Sequence, residues 1–199
     1  MKKAVLVTVR LKSTRLKKKV LLNVEGRPVL KYLTDRLKAN FDGYIILCTS
    51  THKSDDPIEI FAKEQKILCF RGSEEDVLDR YYKACKKFLI DKIYIIYGDE
   101  PFTDIDTMNQ NFNLLDESIP MWIKNDSLPE GTYGYGMTFK GLEYINNKKL
   151  LNNLEVWQLM ASKMRLKKIE LKTEMKQHYS NYRFTIDYAE DLEVFSKII

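Results

Sequence analysis

Ala4-Val-Leu-Val-Thr-Val-Arg-Leu-Lys-Ser-Thr-Arg-Leu-Lys-Lys-Lys19 is the stretch that decides the fold of this 199-residue chain. Its first six residues, 4–9, are apolar or small, a pattern typical of a buried strand. The segment 10–19 that follows contains six cations and no acid. A loop of this kind at the end of a buried strand predicts a site for a strongly anionic ligand, either a nucleic acid backbone or a nucleoside triphosphate.

The charge of the chain is concentrated near its N-terminus. The whole sequence carries 33 Lys and Arg against 28 Asp and Glu, whereas residues 1–40 contain 12 cations and only two acids. This distribution favours one localised anion site over a generally basic surface, so we expect no nucleic acid partner. No apolar run is long enough to cross a bilayer, and the three cysteines have no metal-type spacing. We therefore expect a cytoplasmic protein that does not contact the membrane.

Short apolar runs alternate with segments of helical periodicity in the first half of the chain. The predicted strands are residues 4–9, 44–49, 67–70 and 92–97. The predicted helices are residues 28–39, 57–65 and 74–89, the last with Ser73 as a candidate cap. Strands that alternate with helices indicate parallel βαβ units, and hence an α/β fold.

The pattern is looser after about residue 118. Residues 121–124, 133–140, 166–171 and 182–186 are predicted strands, several of them at an edge or antiparallel. Asn152 and Glu155 resemble a capping box that opens a helix ending at residue 164, and residues 189–198 are predicted to form the last helix. We find no linker or repeat, so residues 1–199 are interpreted as one domain.

Carboxylates follow two of the predicted strands. With a strand order of 3-2-1-4, the cationic loop faces the turn that contains Asp99, because ligands in open α/β sheets bind at the carboxyl ends of the strands. A divalent metal ion between the cationic loop and Asp99 would explain this arrangement, because Mg²⁺ commonly binds one or two carboxylates together with substrate phosphates. Asp99 is equally well explained as a turn residue. Asp187 follows the strand 182–186, but the local sequence favours it, with Glu190, as a helix cap over a metal ligand.

The cationic loop contains several phosphate-binding groups. Arg10 and Lys19 are the strongest candidates, and Ser13 and Thr14 add hydroxyl donors. Lys17 and its neighbour Lys18 are interpreted as solvated charges. The Walker pattern of P-loop enzymes is absent.

Five sequence blocks, in order along the chain, resemble one family. Arg10–Leu21 resembles the R-x-G-S-T-R-L-P-x-K-x-L signature of sugar-activating cytidylyltransferases, and Glu25-Gly-Arg-Pro-Val-Leu-Lys-Tyr32 resembles the segment that follows it. Arg71-Gly-Ser-Glu-Glu-Asp-Val-Leu-Asp-Arg-Tyr81, Gly98-Asp-Glu-Pro101 and Thr185-Ile-Asp-Tyr-Ala-Glu-Asp-Leu192 are similar to blocks of the spore-coat polysaccharide biosynthesis protein F family. That family is related to the CMP-KDO and acylneuraminate cytidylyltransferases.

The resemblance implies a Rossmann-like mixed sheet of the nucleotide-diphospho-sugar-transferase type, with helices on both faces, that binds CTP and Mg²⁺. Residues 1–118 would form the nucleotide-binding half and residues 119–199 the acceptor-binding half. Arg10, Lys19 and Asp99 would be catalytic, and Asp99 and Asp187 would bind the metal, which reverses the local preference for Asp187. The nucleotide contacts that the resemblance implies are Val9, Arg10, Ser13, Thr14, Arg15, Lys19, Thr49, Ser50, Arg71, Ser73 and Gly98.

The resemblance also implies an activity, the transfer of CMP from CTP to a sugar, a sugar acid or a small phosphorylated acceptor during surface polysaccharide biosynthesis. A homodimer is compatible with it. The candidate acceptor contacts are Gly131, Tyr133, Tyr135 and Glu155.

The sequence departs from the family at the loop. Lys12 replaces a glycine, the Lys17-Lys18 pair replaces Pro-Gly, and Leu154-Glu-Val-Trp157 lacks the histidine of the family's R-E-H-V motif. Three alternatives therefore stay open: a glycosyltransferase that uses the D-x-D spacing of Asp104-Ile-Asp106, a nucleic-acid-binding module, and a non-catalytic relative.

Overall fold

The computed structural model describes residues 1–125, 128–149, 157–172 and 182–199. The strands in these ranges are β1 (Lys3–Thr8), β2 (Asn23–Val24), β3 (Arg27–Pro28), β4 (Tyr44–Ser50), β5 (Leu68–Gly72), β6 (Lys92–Tyr97), β7 (Met121–Lys124), β8 (Tyr135–Thr138) and β9 (Lys167–Glu170). The α-helices are α1 (Val29–Asn40), α2 (Asp56–Glu64), α3 (Val77–Phe88), α4 (Ile105–Leu114), α5 (Phe139–Lys148), α6 (Trp157–Lys163) and α7 (Ala189–Ile198). Short 3₁₀ helices cover Lys19–Leu21 and Lys53–Asp55.

One seven-stranded mixed sheet organises the fold. Its strand order is β5-β4-β1-β6-β8-β7-β9, and β5, β4, β1 and β6 are parallel. The predicted order 3-2-1-4 of the first four strands is therefore confirmed. β8 runs antiparallel to both β6 and β7, whereas β9 pairs in parallel with β7 at the edge.

Helices cover both faces of the sheet, which confirms the predicted fold class. Side chains of β1 alternate between the two faces, so Ala4 and Leu6 enter one apolar cluster and Val5 and Val7 enter the other. The cluster with Val5 also contains apolar residues of α1, α2 and α4. The cluster with Leu6 contains apolar residues of α3, α5 and α6. This two-sided burial explains why the first strand reads as a continuous apolar run.

Three predicted elements differ from the structure. The strand predicted at 133–140 ends earlier, because the Thr138 hydroxyl accepts a hydrogen bond from Gly141 N (3.1 Å) and caps α5. The segment 182–186 is not a strand of the sheet; among the residues that the structure describes, it forms one isolated bridge, between Arg183 and Glu130. Helix α3 begins at Val77 with Asp76 as its cap, so the prediction that Ser73 caps it is wrong.

The helix predicted to begin at the Asn152–Glu155 capping box is described only from Trp157, and the box itself lies outside the described residues. Within the described ranges, no helix combines the length and the apolar character that a membrane span requires.

Candidate active site

A cleft of about 550 Å³ opens at the carboxyl ends of the parallel strands. Its walls come from the loop after β1, the ends of β4 and β6, and the first turns of α3. Seven of the residues that the sequence predicted for the site line this cleft: Arg10, Ser13, Thr14, Arg15, Lys19, Ser50 and Asp99. The fold therefore brings the cationic loop and the turn after β6 to one place.

Lys19 lies at the centre of an ion-pair cluster beside the cleft. Its ammonium contacts Asp99 Oδ2 and is 2.7 Å from Asp187 Oδ1, and only 11% of its side chain is exposed. A backbone hydrogen bond holds the two carboxylates side by side, because Ile186 N donates to the carbonyl oxygen of Asp99 (2.9 Å). Two carboxylates that are 168 and 80 residues from Lys19 in sequence thus share one cation.

Asp187 is held by further cations and does not cap the last helix. Arg15 Nη2 lies 2.7 Å from Asp187 Oδ1, and Arg183 Nη1 lies 3.2 Å from Oδ2. The N-cap of α7 is Tyr188, and Asp191, the third helical residue, completes a capping box: its Oδ2 accepts from Tyr188 N (2.9 Å) and also from Asp187 N (2.8 Å). The interpretation of Asp187 as a cap is therefore wrong, and its carboxylate is directed to the site.

The pair Asp99 and Asp187 fits a divalent metal ion. Both carboxylates already converge on one positive charge, so a divalent cation at that point would meet oxygen ligands from two chain segments. No group of three or more His, Cys, Asp or Glu side chains suited to a metal occurs in the described part of the chain. Mg²⁺ commonly takes one or two carboxylates and completes its shell with water and substrate phosphates, so Asp99 and Asp187 are the residues that could hold it.

Asp55 fastens the cationic loop to the sheet. This residue is 2% exposed, and its Oδ1 accepts from Leu11 N (2.8 Å), next to Arg10. Its Oδ2 accepts from the backbone N–H (3.3 Å) and the hydroxyl of Ser50 (2.5 Å). Burial alone would raise the pKa of Asp55, but the hydrogen bonds from Ser50 and Leu11 outweigh it and hold the pKa below its ordinary value of 3.8.

The loop keeps a glycine-like backbone at one of its substituted positions. Lys18, which stands where the family has glycine, adopts φ 54° and ψ 27°, the left-handed conformation that glycine takes most readily. Lys12 occupies the other glycine position, and its ammonium pairs with Glu74 (2.9 Å) at the cleft. The substitutions therefore leave the loop folded over the cleft.

Three predicted nucleotide contacts lie behind the wall of the cleft. Val9 is buried and its N–H donates to the carbonyl oxygen of Cys48 (3.1 Å), and Thr49 is fully buried in β4. Gly98 packs under the loop, since a Cβ there would lie 3.0 Å from Val9 Cγ2. These residues shape the cleft from below and are absent from its lining.

Arg71 and Ser73 also lie outside the lining of the cleft. Arg71 Nε donates to the carbonyl oxygen of Ser50 (3.0 Å), and its other donors bind Glu59, Asp56 and the carbonyl oxygen of His52. The Ser73 hydroxyl accepts from Asp76 N (3.0 Å) one turn before α3. Arg71 thus supports the end of β4, and Ser73 supports the turn that leads into α3.

The candidate acceptor residues lie around the start of β8. Gly131, with φ 84°, approaches the 184–185 backbone so closely that a Cβ would lie 2.5 Å from Thr185 N. Tyr133 and Tyr135 contact each other edge to face, with ring centroids 6.0 Å apart. Glu155 lies outside the described residues.

Tyr97 connects the cleft to α6. It lines the cleft, and its hydroxyl accepts from Gln158 Nε2 of α6 (2.8 Å). Burial, reinforced by the charge of Glu100, raises the pKa of Tyr97 to about 12, so this hydroxyl stays protonated at neutral pH. Burial and the neighbouring Asp99 likewise raise the pKa of Glu100 well above its usual range.

Sequence reasoning missed Asp55, Glu74, Arg80 and Tyr97 as residues of the cleft. The Arg71–Tyr81 block contains Glu74 and Arg80, so their placement near the site could have been inferred from that block. The D-x-D pair Asp104 and Asp106 does not line the cleft. The Asp104 carboxylate instead accepts a hydrogen bond from Thr107 N (2.6 Å) and caps α4.

The fold and the cleft define the class of nucleotidyltransferases. The family model described as "Cytidylyltransferase" matches residues 4–188, and the chain belongs to this family. A cytidylyltransferase structure from Leptospira borgpetersenii matches with a TM-score of 0.88 at 28% identity, over 98% of this chain and 85% of that one. The CMP-2-keto-3-deoxy-manno-octonic acid synthetase complexed with CTP has the same fold, with a TM-score of 0.69 at 14% identity over 100% and 98% of the two chains.

Relatives are also found by sequence. The uncharacterised protein MJ1063 of Methanocaldococcus jannaschii is 30% identical over 97% of this chain and 81% of its own length. The spore coat polysaccharide biosynthesis protein SpsF of Bacillus subtilis is 33% identical over 50% of this chain and 43% of that protein. The 3-deoxy-manno-octulosonate cytidylyltransferase of Francisella tularensis subsp. holarctica is 32% identical over 56% and 45%. The chain thus matches less than half the length of these last two proteins.

Proposed function

We propose that the protein transfers CMP from CTP to a sugar, a sugar acid or a small phosphorylated acceptor and releases pyrophosphate. The observation that carries this proposal is the convergence of Asp99 and Asp187 on Lys19, directly beside the cationic loop of the cleft. Paired carboxylates next to clustered cations suit a triphosphate that arrives with a divalent metal ion.

The cationic loop would bind the triphosphate. Arg10, Arg15 and Lys19 line the cleft with the hydroxyls of Ser13 and Thr14, which gives charged and neutral donors on one loop. A guanidinium can hold two phosphate oxygens at once, whereas an ammonium acts as a point charge. The arginines would therefore orient the phosphates, and Lys19 would neutralise them.

Asp99 and Asp187 would hold Mg²⁺, which neutralises phosphate charge and helps to align the reacting groups when it is bound. The same carboxylates contact Lys19 in the structure described here. Lys19 also lines the cleft, so its ammonium would offset the charge that develops on the leaving pyrophosphate.

The reaction is an in-line displacement at the α-phosphorus of CTP. An acceptor oxygen forms the new P–O bond, and the bond to the bridging α–β oxygen breaks with its electrons leaving on pyrophosphate. A phosphate or carboxylate acceptor oxygen needs no general base, whereas a hydroxyl acceptor must lose a proton. Tyr97 cannot take that proton at neutral pH, because burial raises its pKa to about 12. Gly131, Tyr133 and Tyr135 are the candidates for contact with the acceptor.

We further propose a role in the synthesis of a surface polysaccharide. This proposal is supported by the names of two relatives, which refer to spore coat polysaccharide and to 3-deoxy-manno-octulosonate. A cytoplasmic location is supported by the free state of Cys48, Cys69 and Cys85. A homodimer stays a prediction.

Pyrophosphate release tests this function directly. The protein is incubated with Mg²⁺, one of the four ribonucleoside triphosphates, and a panel of sugar acids, sugars and sugar phosphates. We expect release only with CTP and only with one class of acceptor, and loss of that release in Asp99→Asn. Acceptor-independent release, or no release with any pair, would contradict the proposal.

A further inference from the structure

A cation of the loop after β1 pairs with an acid from another wall of the cleft. Lys12 Nζ donates to Glu74 Oε1 (2.9 Å) although the two residues are 62 positions apart in sequence, and both of them line the cleft. Lys12 stands where the family signature has a glycine. Because glycine has no side chain, this ion pair depends on the substitution at position 12, and the family signature does not account for it.

The pair bridges one end of the cleft. Lys12 follows β1 and Glu74 follows β5, and β4 lies between these two strands in the sheet. Two strand spacings are about 10 Å, so the two side chains reach toward each other across the carboxyl end of β4. Ser50, the last residue of β4, and Asp55 line the cleft at that same end. A ligand in this part of the cleft would therefore lie close to both charges.

Both charges stay accessible although they are paired. The side chain of Lys12 is 62% exposed and that of Glu74 is 38% exposed. The hydrogen bond from Lys12 holds the pKa of Glu74 below its ordinary value of 4.5, so this carboxylate is ionised at neutral pH. An exposed ion pair of this kind is weak, because water solvates and screens both groups. The Lys12 ammonium can therefore exchange its carboxylate partner for a more highly charged anion.

We propose that Lys12 binds a phosphate oxygen of the nucleotide and that Glu74 is the counter-ion that Lys12 exchanges for this oxygen. A triphosphate carries more negative charge than one carboxylate, and its oxygens are strong acceptors for an ammonium. Glu74 would then face the bound phosphates and repel them. The two residues would thus act on nucleotide affinity in opposite directions, since Lys12 raises it and Glu74 lowers it. This inference rests on the proposed function, because it assumes that the phosphates bind the cationic loop.

Calorimetric titration with CTP and with inorganic tripolyphosphate tests the inference. Lys12→Gln and Glu74→Gln each remove one charge and keep a polar side chain. Lys17→Gln and Glu75→Gln are the matched controls, because Lys17 and Glu75 are exposed on the same two segments and are absent from the lining of the cleft. Thermal unfolding confirms that each variant is folded before it is titrated.

We expect the two substitutions to have opposite effects. Lys12→Gln should weaken the binding of both CTP and tripolyphosphate at least about 5-fold, because it removes a charged hydrogen bond to phosphate. Glu74→Gln should tighten the binding of both ligands about 2- to 5-fold, because it removes a repulsive charge at an exposed position. Each control should stay within about 1.5-fold of the wild type, since solvent and salt screen an exposed charge outside the cleft.

Four results would overturn the inference alone. They are wild-type affinity in Lys12→Gln or Glu74→Gln, weaker binding in both of these variants, a loss in Lys12→Gln that affects CTP but not tripolyphosphate, and an equal loss in Lys17→Gln. Weaker binding in both variants would mean that the ion pair only supports the shape of the cleft. A wild type that binds no nucleotide would overturn the proposed function and the inference with it.

Discussion

Replacement of the buried residue Asp55 by alanine should destabilise the protein strongly. The carboxylate accepts from Leu11 N and from Ser50, and Leu11 and Ser50 are 5% and 2% exposed. Asp55→Ala removes the acceptor of three donors, the N–H groups of Leu11 and Ser50 and the Ser50 hydroxyl, and each buried group left unpaired costs about 1–3 kcal/mol. We therefore expect a loss of about 3 kcal/mol in the free energy of unfolding, or a urea midpoint roughly 1–2 M lower.

The pH dependence gives this prediction a second readout. Since hydrogen bonds hold the pKa of Asp55 below 3.8 in the folded state, its stabilisation is fully present above that value. It is lost as the pH falls through the lower, folded pKa. The difference between the wild type and Asp55→Ala in urea unfolding should thus be constant from pH 7 to 5 and shrink below about pH 4.

Asp56→Ala is the matched control, because its neighbouring carboxylate is 54% exposed and pairs with Arg71 at the surface. Its effect should stay below about 1 kcal/mol. The reasoning would be refuted if Asp55→Ala unfolded within about 0.5 kcal/mol of the wild type at pH 7, or if both variants lost the same stability.

Three further substitutions have distinct expected outcomes. Lys19→Ala should reduce turnover at least about 100-fold in the pyrophosphate assay. Lys17→Ala removes an exposed side chain and should change turnover less than about 3-fold. A larger loss in Lys17→Ala than in Lys19→Ala would mean that the wrong lysine of the loop has been assigned to the phosphates. Gly131→Ala should cost about 1–3 kcal/mol in urea unfolding, because its φ is 84° and a Cβ would strike the 184–185 backbone; unchanged stability would exclude this close approach. Asp191→Ala should lower the unfolding free energy by about 1 kcal/mol, because it removes the capping-box acceptor for Tyr188 N at the start of α7; a urea midpoint equal to that of the wild type would contradict this expectation.

The parallel half of the sheet could be predicted from the sequence because its signals are local. Each of the first four strands is a short apolar run, and each is followed by helical periodicity, so both the elements and their order follow from pattern and topology rules. Helix α5 could not be predicted in the same way. Its cap, Thr138, ends an apolar strand directly, and the continuous pattern at 133–140 hides the change of structure.

The site could be predicted only in part because its contacts are long-range. Asp187 resembles a helix cap locally, but Tyr188 and Asp191 form the capping box of α7. The hydrogen bond from Ile186 N to the carbonyl oxygen of Asp99 brings Asp187 beside Lys19. Asp55 and Leu11 are 44 residues apart, so nothing in the local pattern links them. Residue type and spacing thus indicated which groups carry chemistry, whereas their pairing depended on tertiary packing.

Calorimetric titration of CTP with and without Mg²⁺ is the most direct test of the central claim that Asp99 and Asp187 hold a metal-bound nucleotide. The wild type, Asp99→Asn and Asp187→Asn are compared under the same conditions. We expect Mg²⁺ to tighten CTP binding by the wild type at least about 10-fold and to have little effect on either variant. A Mg²⁺ effect of wild-type size in both variants would contradict the claim.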